Sequence, residues 1–385
     1  MRKTNLVLGI LMTVILHTNS FAQWQNKSFT HQGNTRQYRV YKSPNYNASV
    51  PASLVITLHG LGDDMTNFSG IGMNQIADTA NVIVVVPQAV SDALAGTAWN
   101  SGTGMLGYFP NSSINDVGFI NTLLDTIQAN YAINPNRVYA CGFSMGGFMT
   151  NRLAVELNSR FTAFATVSGT FGTGLTSYNP NSPVSIAHFH GTSDGTVPFA
   201  GNASGIGADS LVHFWAANNQ CNPVPQHISI PDTQSDGYTV DQYIYSGGED
   251  NSSVEFFKVT GADHVWLTPA NDISYTKEIW KFFNKHKTKP ATAGMNEFDS
   301  NAVYEIYPNP ASEYLTLKYT GENTNQSVQF SLVDLTGKTV FSSSADFSNG
   351  IATIVLPSID FKKGIYLLKL KNDGNQDLVK RVCIE

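Results

Sequence analysis

Between Ser53 and His286, short apolar runs alternate with stretches of helical periodicity. SLVITLHG (53–60), NVIVVVPQA (81–89), RVYACG (137–142), FTAFATVSG (161–169) and SIAHFHG (185–191) are apolar runs closed by turn residues, the pattern of strands buried on both faces. YTVDQYIYSG (238–247) and SVEFFKVTG (253–261) also read as strands. From Asp116 to Ala129, residues Val117, Ile120, Leu123, Leu124 and Ile127 share one helical face. Further helices are predicted at 146–157, 207–218 and 272–286, the last with Tyr275, Ile279 and Phe283 four apart. Strands alternating with helices predict an α/β fold with a mostly parallel sheet flanked by helices.

The texture changes after residue 287. KTKPATAGMNEFDSNA (287–302) has low hydrophobicity and no period, so 288–302 reads as a linker. YLTLKY, SVQFSLVDL, GKTVFSS, IATIVL and GIYLLKLK then form short strands separated by turn residues, which predicts a small all-β sandwich over 303–385. No internal repeat of fixed period is present. At the other end, basic Arg2 and Lys3 precede an apolar run from Leu6 to Leu16 and a small-residue site at Ser20-Phe21-Ala22. Residues 1–22 therefore read as a secretory signal peptide, too short in its apolar run for a membrane span. The organisation is a signal peptide (1–22), an α/β domain (23–287), a linker and a β-sandwich.

Charge narrows the partners. Removing Arg2 and Lys3 takes the formal net charge from −6 to −8. An acidic surface argues against nucleic acid or anionic membrane, both of which reward Lys/Arg patches. Three cysteines (Cys141, Cys221, Cys383) are too few and scattered for a disulfide framework or a zinc site, so no metal and no cofactor is expected.

The candidate chemistry centres on serine. CGFSMGG (141–147) and GTSDG (191–195) both match G-x-S-x-G, and at most one can be a nucleophile elbow. An elbow needs a strand up to the first glycine, a strained serine and a helix at once afterwards. Ser144 has RVYAC before it and FMTNRLAVEL after it. Ser193 is followed by Thr196-Val197-Pro198 and a glycine-rich stretch, which cannot continue as the elbow helix. The competing reading of Ser144 is an ordinary helix N-cap.

A serine hydroxyl needs a histidine to take its proton and a carboxylate to hold that histidine. In the α/β-hydrolase order Ser, Asp, His, each on a loop after a strand, the candidates are Asp194 and His264. Asp194 could instead be a plain Asp-Gly turn residue. His188 and His190 lie within a strand and read as packed. His213, His227 and His286 sit in no motif, and Asp263 follows no strand end of its own. The oxyanion hole would take the N–H of Met145, after the nucleophile, and of Leu61, in the loop LHGLGDD (58–64).

LHGLGDDMTNF, AWNSG, NDVGFI, VYACGFSMGGFMTNRLA, FHGTSDGTVPF and GADHVW, spread over about 35–287, resemble the secreted esterase family of feruloyl and acetyl xylan esterases and polyhydroxybutyrate depolymerase-like proteins. The resemblance implies an α/β-hydrolase fold. It implies Ser144, Asp194 and His264 as triad, Leu61 and Met145 as oxyanion donors, and His59, Trp99, Phe143 and Trp266 near the substrate, with core packing the equal alternative for Trp99 and Trp266. Ala262-Asp263 and Leu267 depart from the family pattern around the histidine, which concerns the substrate rim. YPNPASEYL, DLTGKTV, KGIYLLKL and terminal KRV resemble the type IX secretion sorting domain of Bacteroidetes-type bacteria, implying the type IX machinery as partner, export to the cell surface or beyond, and removal of the tail. The expected activity is a secreted serine carboxylic ester hydrolase acting on feruloyl or acetyl groups of plant polysaccharide. The alternatives are a polyhydroxyalkanoate depolymerase, a serine peptidase and a non-catalytic surface binding protein.

Overall fold

The computed structural model describes residues 23–104, 108–173, 180, 182–288, 304–309, 311–319, 327–334, 338–356, 363–370 and 378–384. The expected signal peptide (1–22) and nearly all of the expected linker lie outside them. The chain divides into two compact units, Met1–Ala293 and Gly294–Glu385.

The first unit is built on a ten-stranded sheet: β1 (Gln23–His31), β2 (Asn34–Lys42), β3 (Ala52–Leu58), β4 (Val82–Pro87), β5 (Ile133–Phe143), β6 (Ala163–Val167), β7 (Ile186–Gly191), β8 (Gln226–Ile230), β9 (Thr239–Tyr245) and β10 (Val254–Thr260). Their spatial order is β1-β2-β4-β3-β5-β6-β7-β10-β9-β8. The six inner strands from β4 to β10 run parallel. An antiparallel pair closes each edge, β1 and β2 against β4, β8 and β9 against β10. Every residue of β3, β4, β6 and β7 is buried, as their unbroken apolar runs predict.

Helices cover both faces. On one face α3 (Asp116–Asn130), α4 (Met145–Glu156) and α5 (Ala208–Asn218) pack through Leu123, Leu153, Leu211 and Trp215. On the other, α2 (Met73–Thr79) and α6 (Tyr275–Lys285) pack through Met73, Ile279, Phe282 and Phe283. A one-turn helix, α1 (Met65–Phe68), is capped by Asp64, which accepts the N–H groups of Thr66 and Asn67. The last helix starts three residues later than expected. Asp272 instead accepts the backbone N–H groups of Thr233 and Gln234, which holds its segment as a loop.

The second unit carries two antiparallel sheets. One orders Tyr304–Tyr307, Tyr314–Tyr319 and Ile351–Val355; the other orders Thr339–Asp346, Ser327–Val333, Gly364–Leu370 and Leu378–Ile384. Leu315 and Leu317 from the first and Phe330, Leu332 and Leu368 from the second share one apolar core. That is the expected all-β layering.

Candidate active site

Ser144 links β5 to α4 with φ 55° and ψ −123°, a conformation that non-glycine residues rarely adopt. The turn requires the glycines around it. A Cβ on Gly142 would overlap the Gly146 carbonyl, and one on Gly146 would overlap the Leu58 carbonyl at the end of β3. The Ser144 N–H donates to Val167 O at 2.9 Å, fixing the turn to the end of β6. Although Ser144 stands at the N-cap of α4, its side chain makes no capping hydrogen bond. Ser144 instead lines a cleft of about 440 Å³. The capping reading of Ser144 therefore lacks its defining bond.

Asp194 follows β7 and is buried. Its Oδ2 accepts from His264 Nδ1 at 2.8 Å, and its Oδ1 accepts the N–H groups of Thr196 (3.0 Å) and Val197 (2.7 Å). Burial pushes the carboxyl pKa up, but the hydrogen bonds from His264, the Val197 N–H and the Ser168 hydroxyl outweigh it and leave it below its ordinary value. The side chain is thus held as a carboxylate. Ser168 is itself at φ 47° and buried at the end of β6. Nothing in its sequence context distinguished it from other turn serines.

His264 lies on the loop after β10. With Nδ1 engaged by Asp194, its Nε2 is the nitrogen left for another partner. Its ring packs on Phe143, the residue before Ser144, with centroids 4.7 Å apart. Trp266 meets Phe143 edge-on at 6.2 Å and donates its indole N–H to Thr276 Oγ1 at 3.0 Å. Phe143, expected at the substrate, therefore buttresses the imidazole, Trp266 packs behind Phe143, and neither is among the residues lining this cleft.

His59 and Trp99 differ more sharply from expectation. Both are fully buried, so neither side chain reaches the cleft in this structure. The reason is hydrogen bonding. His59 Nδ1–H donates to Gly60 O at 2.8 Å, which leaves Nε2 to accept from Ala89 N at 3.1 Å and Gln88 Nε2 at 3.2 Å. Trp99 Nε1–H donates to His59 O at 2.9 Å, and its backbone N–H meets Met145 Sδ at 3.4 Å. The two residues brace the Leu61 loop and the start of α4 from behind. Leu61 lies on the rim of the cleft and Met145 on its wall. As the first residue of α4, Met145 has an N–H with no intrahelical acceptor.

The other wall of the cleft carries Leu94 and Tyr108, and it is organised around Asp92. That carboxylate accepts the Tyr108 hydroxyl at 2.6 and 2.7 Å and the N–H groups of Leu94, Ala95 and Asn111. Behind it, Asp116 pairs with Arg36 at 2.6 Å and accepts Asn100 N–H at 2.7 Å, anchoring the segment that follows Trp99. Among the described residues no cluster of three or more His, Cys, Asp or Glu could hold a metal ion. Cys141 and Cys221 are free thiols, and no helix there is long and apolar enough to cross a membrane. Ser193 donates its backbone N–H to Ala262 O and precedes a turn rather than a helix.

Residues 46–230 match the Phospholipase/Carboxylesterase family model, and residues 305–385 match the secretion system C-terminal sorting domain. Feruloyl esterase D of Neurospora crassa is 28% identical over 268 residues, 66% of this chain and 83% of its own. Probable feruloyl esterase C of Aspergillus niger is 26% identical over 253 residues, 61% of this chain and 84% of its own. The structure of an acetyl xylan esterase from Aspergillus awamori covers 68% of this chain and 99% of its own, with a TM-score of 0.48 and 15% identity. With an α/β-hydrolase fold, a phospholipase/carboxylesterase match over residues 46–230 and feruloyl esterase relatives, the chain is a carboxylic ester hydrolase, and its C-terminal secretion sorting domain supports secretion or cell-surface export.

Proposed function

We propose that Ser144, His264 and Asp194 form a catalytic triad that cleaves esters through an acyl-enzyme. The observation that carries this reading is the strained backbone of Ser144 at a strand–helix turn on the cleft, with no hydrogen bond from its side chain to the helix N-terminus. In the first half-reaction, Ser144 Oγ attacks the ester carbonyl and His264 Nε2 takes its proton. Asp194 stabilises the resulting imidazolium through Nδ1–H. The N–H groups of Leu61 and Met145 receive the negative oxygen of the tetrahedral intermediate. The intermediate then collapses: the C–O bond to the alcohol breaks, and His264 returns the proton to the departing oxygen. A water repeats the sequence on the acyl-Ser144 ester and releases the acid.

The substrate is proposed to be an aromatic (feruloyl-type) ester of plant polysaccharide. Leu61, Leu94 and Tyr108 are exposed apolar residues on one cleft, and Met145, Phe148 and Val197 extend that surface inward. A cleft of this size and polarity favours burying an aryl acyl group over an acetyl group. Residues 1–22 are proposed to act as a signal peptide ahead of type IX export, with the tail removed afterwards. The test is a parallel kinetic screen on methyl ferulate, aryl acetates, acetylated xylan and polyhydroxybutyrate. Methyl ferulate should give the highest kcat/KM. Preference for acetylated xylan or polyhydroxybutyrate would overturn the substrate assignment.

A further inference from the structure

Two histidines that the proposed chemistry does not use lie buried beneath Asp194. His188 and His190 both point from β7 to the face that carries α4 and α5, and both are fully enclosed. Phe256 stacks on His188 with ring centroids 5.7 Å apart, and Phe199 meets His190 edge-on at 5.7 Å. Polar rings in such a place are costly unless each nitrogen has a partner.

The partners form a single chain, and its terminal carbonyl fixes the direction of every bond when both rings are neutral. His190 Nε2 lies 2.8 Å from Val197 O, and a carbonyl can only accept, so His190 carries its proton on Nε2. A neutral His190 then has an accepting Nδ1, 3.1 Å from His188 Nε2, which must be the donor. That leaves His188 Nδ1 to accept from the Thr166 hydroxyl at 2.8 Å. For neutral rings the order is therefore Thr166 to His188 to His190 to Val197. Desolvation, which lowers the pKa of each, favours the neutral form.

The end of this chain adjoins the proposed acid. The same His190 Nε2–H that bonds Val197 O lies 3.6 Å from Asp194 Oδ2, the oxygen that accepts from His264. Val197 in turn donates its own N–H to Asp194 Oδ1. His190 thus grips the Asp194 loop through the Val197 carbonyl and presents a donor dipole to Oδ2. A cation in its place would neutralise the carboxylate that the imidazolium of His264 needs. A neutral imidazole orients the carboxylate without that penalty.

We propose that His190 is a positioning residue for the Asp194–His264 pair, and that His188, oriented by Thr166, holds it in the Nε2–H tautomer that this requires. The inference rests on the reading of Asp194 as the triad acid.

The test uses the full chain and three variants. His190→Leu removes the donor, His190→Gln keeps an amide N–H near the Nε2 position, and His188→Leu removes the group that fixes the tautomer. His190→Leu should lower kcat about 10–100-fold with KM within about twofold, and shift the downfield proton resonance of His264 Nδ1–H. His190→Gln should restore most of the loss. Nitrogen-15 spectra of the unsubstituted protein should show both His188 and His190 protonated at Nε2, and His188→Leu should broaden His190 into a tautomer mixture. If His190→Leu does not fold, the spectra and His188→Leu still decide. A folded His190→Leu with kcat within twofold of the parent would overturn the proposal. So would His190→Gln as impaired as His190→Leu, or His190 protonated at Nδ1. Asp194→Asn separates the two levels: if it leaves activity intact, the triad reading itself fails. If it abolishes activity while the histidine variants stay normal, only the positioning role fails.

Discussion

Asp263 Oδ1 accepts the Gly195 N–H at 2.9 Å, joining the loop that carries His264 to the loop that carries Asp194. The same oxygen accepts the N–H of His264 at 2.8 Å. Asp263 adjoins His264 in sequence, yet the imidazole Nδ1 bonds Asp194 instead. Asp263 therefore clamps two loops, and Asp194 faces the ring. The ranking of two substitutions follows. Asp194→Asn should lower kcat on the order of 10⁴-fold, because the amide favours the wrong imidazole tautomer. Asp263→Ala should cost about tenfold or less, through loosened loops. Steady-state kinetics on both variants checks this, and the reverse ranking would make Asp263 the acid.

Two serines stand in G-x-S-x-G, and only one is on a strained strand–helix turn. Ser144→Ala should reduce ester hydrolysis by about 10⁴–10⁶ with circular dichroism unchanged. Ser193→Ala should stay within about tenfold of the parent. A fluorophosphonate adduct should map to Ser144 by peptide mass analysis, and an adduct on Ser193 would refute the assignment.

The strand ends that precede Ser144 and Asp194 are legible because each closes an apolar run, the mark of an inner strand, whereas the strand before His264 carries Glu255 and Lys258 and is marked less sharply. Edge strands were harder. No residue of β8 is buried, and the buried residues of β2 (Arg36, Tyr38, Val40, Tyr41) are interrupted by exposed or half-buried polar ones, so no continuous apolar run marks these strands. The supporting partners were not legible at all. Ser168 reaches Asp194 from a different strand end, and the link between His188 and His190 depends on two side chains of one strand sharing a face. Motif position drew Trp99 and His59 towards the substrate, but their hydrogen bonds to backbone turn both inward. Sequence proximity to a cleft does not set side-chain direction.

Arg36 was likewise unmarked in the sequence, since a charged residue in an edge hairpin is ordinarily solvated. It is 2% exposed, lies 3.7 Å from the Phe119 ring centroid, and pairs with the equally buried Asp116. Asp116→Ala would leave the guanidinium buried without its counter-ion and should destabilise by about 3–5 kcal/mol. The double variant R36M/D116L should recover much of that loss, although the Asn100 N–H loses its acceptor. Urea denaturation of both variants measures the difference. Equal destabilisation of the two would mean that the bond to Asn100, and not the unpaired charge, dominates.

Acid stability turns on buried imidazoles. Burial pushes the His286 pKa down to about 4, and it also lowers those of His59, His188 and His190. In the unfolded chain each histidine titrates near its ordinary value of about 6.5. As pH falls through that value, the unfolded state binds protons that the folded state refuses, so stability declines. The contribution of His286 is complete above about pH 6.5 and is lost between there and about pH 4, an effect of about 3 kcal/mol. Asp194, whose folded pKa is also lowered, adds its own loss at more acid pH, as its carboxylate is protonated. The melting temperature should therefore be flat above neutrality and fall steeply below pH 6.5. His286→Phe keeps an aromatic ring against Phe282, 4.6 Å away in the parent, and removes one of the titrating groups. Its melting temperature should fall less steeply between pH 6.5 and 4 than that of the parent. Parallel curves for the two proteins would show that His286 is already protonated in the folded state across this range.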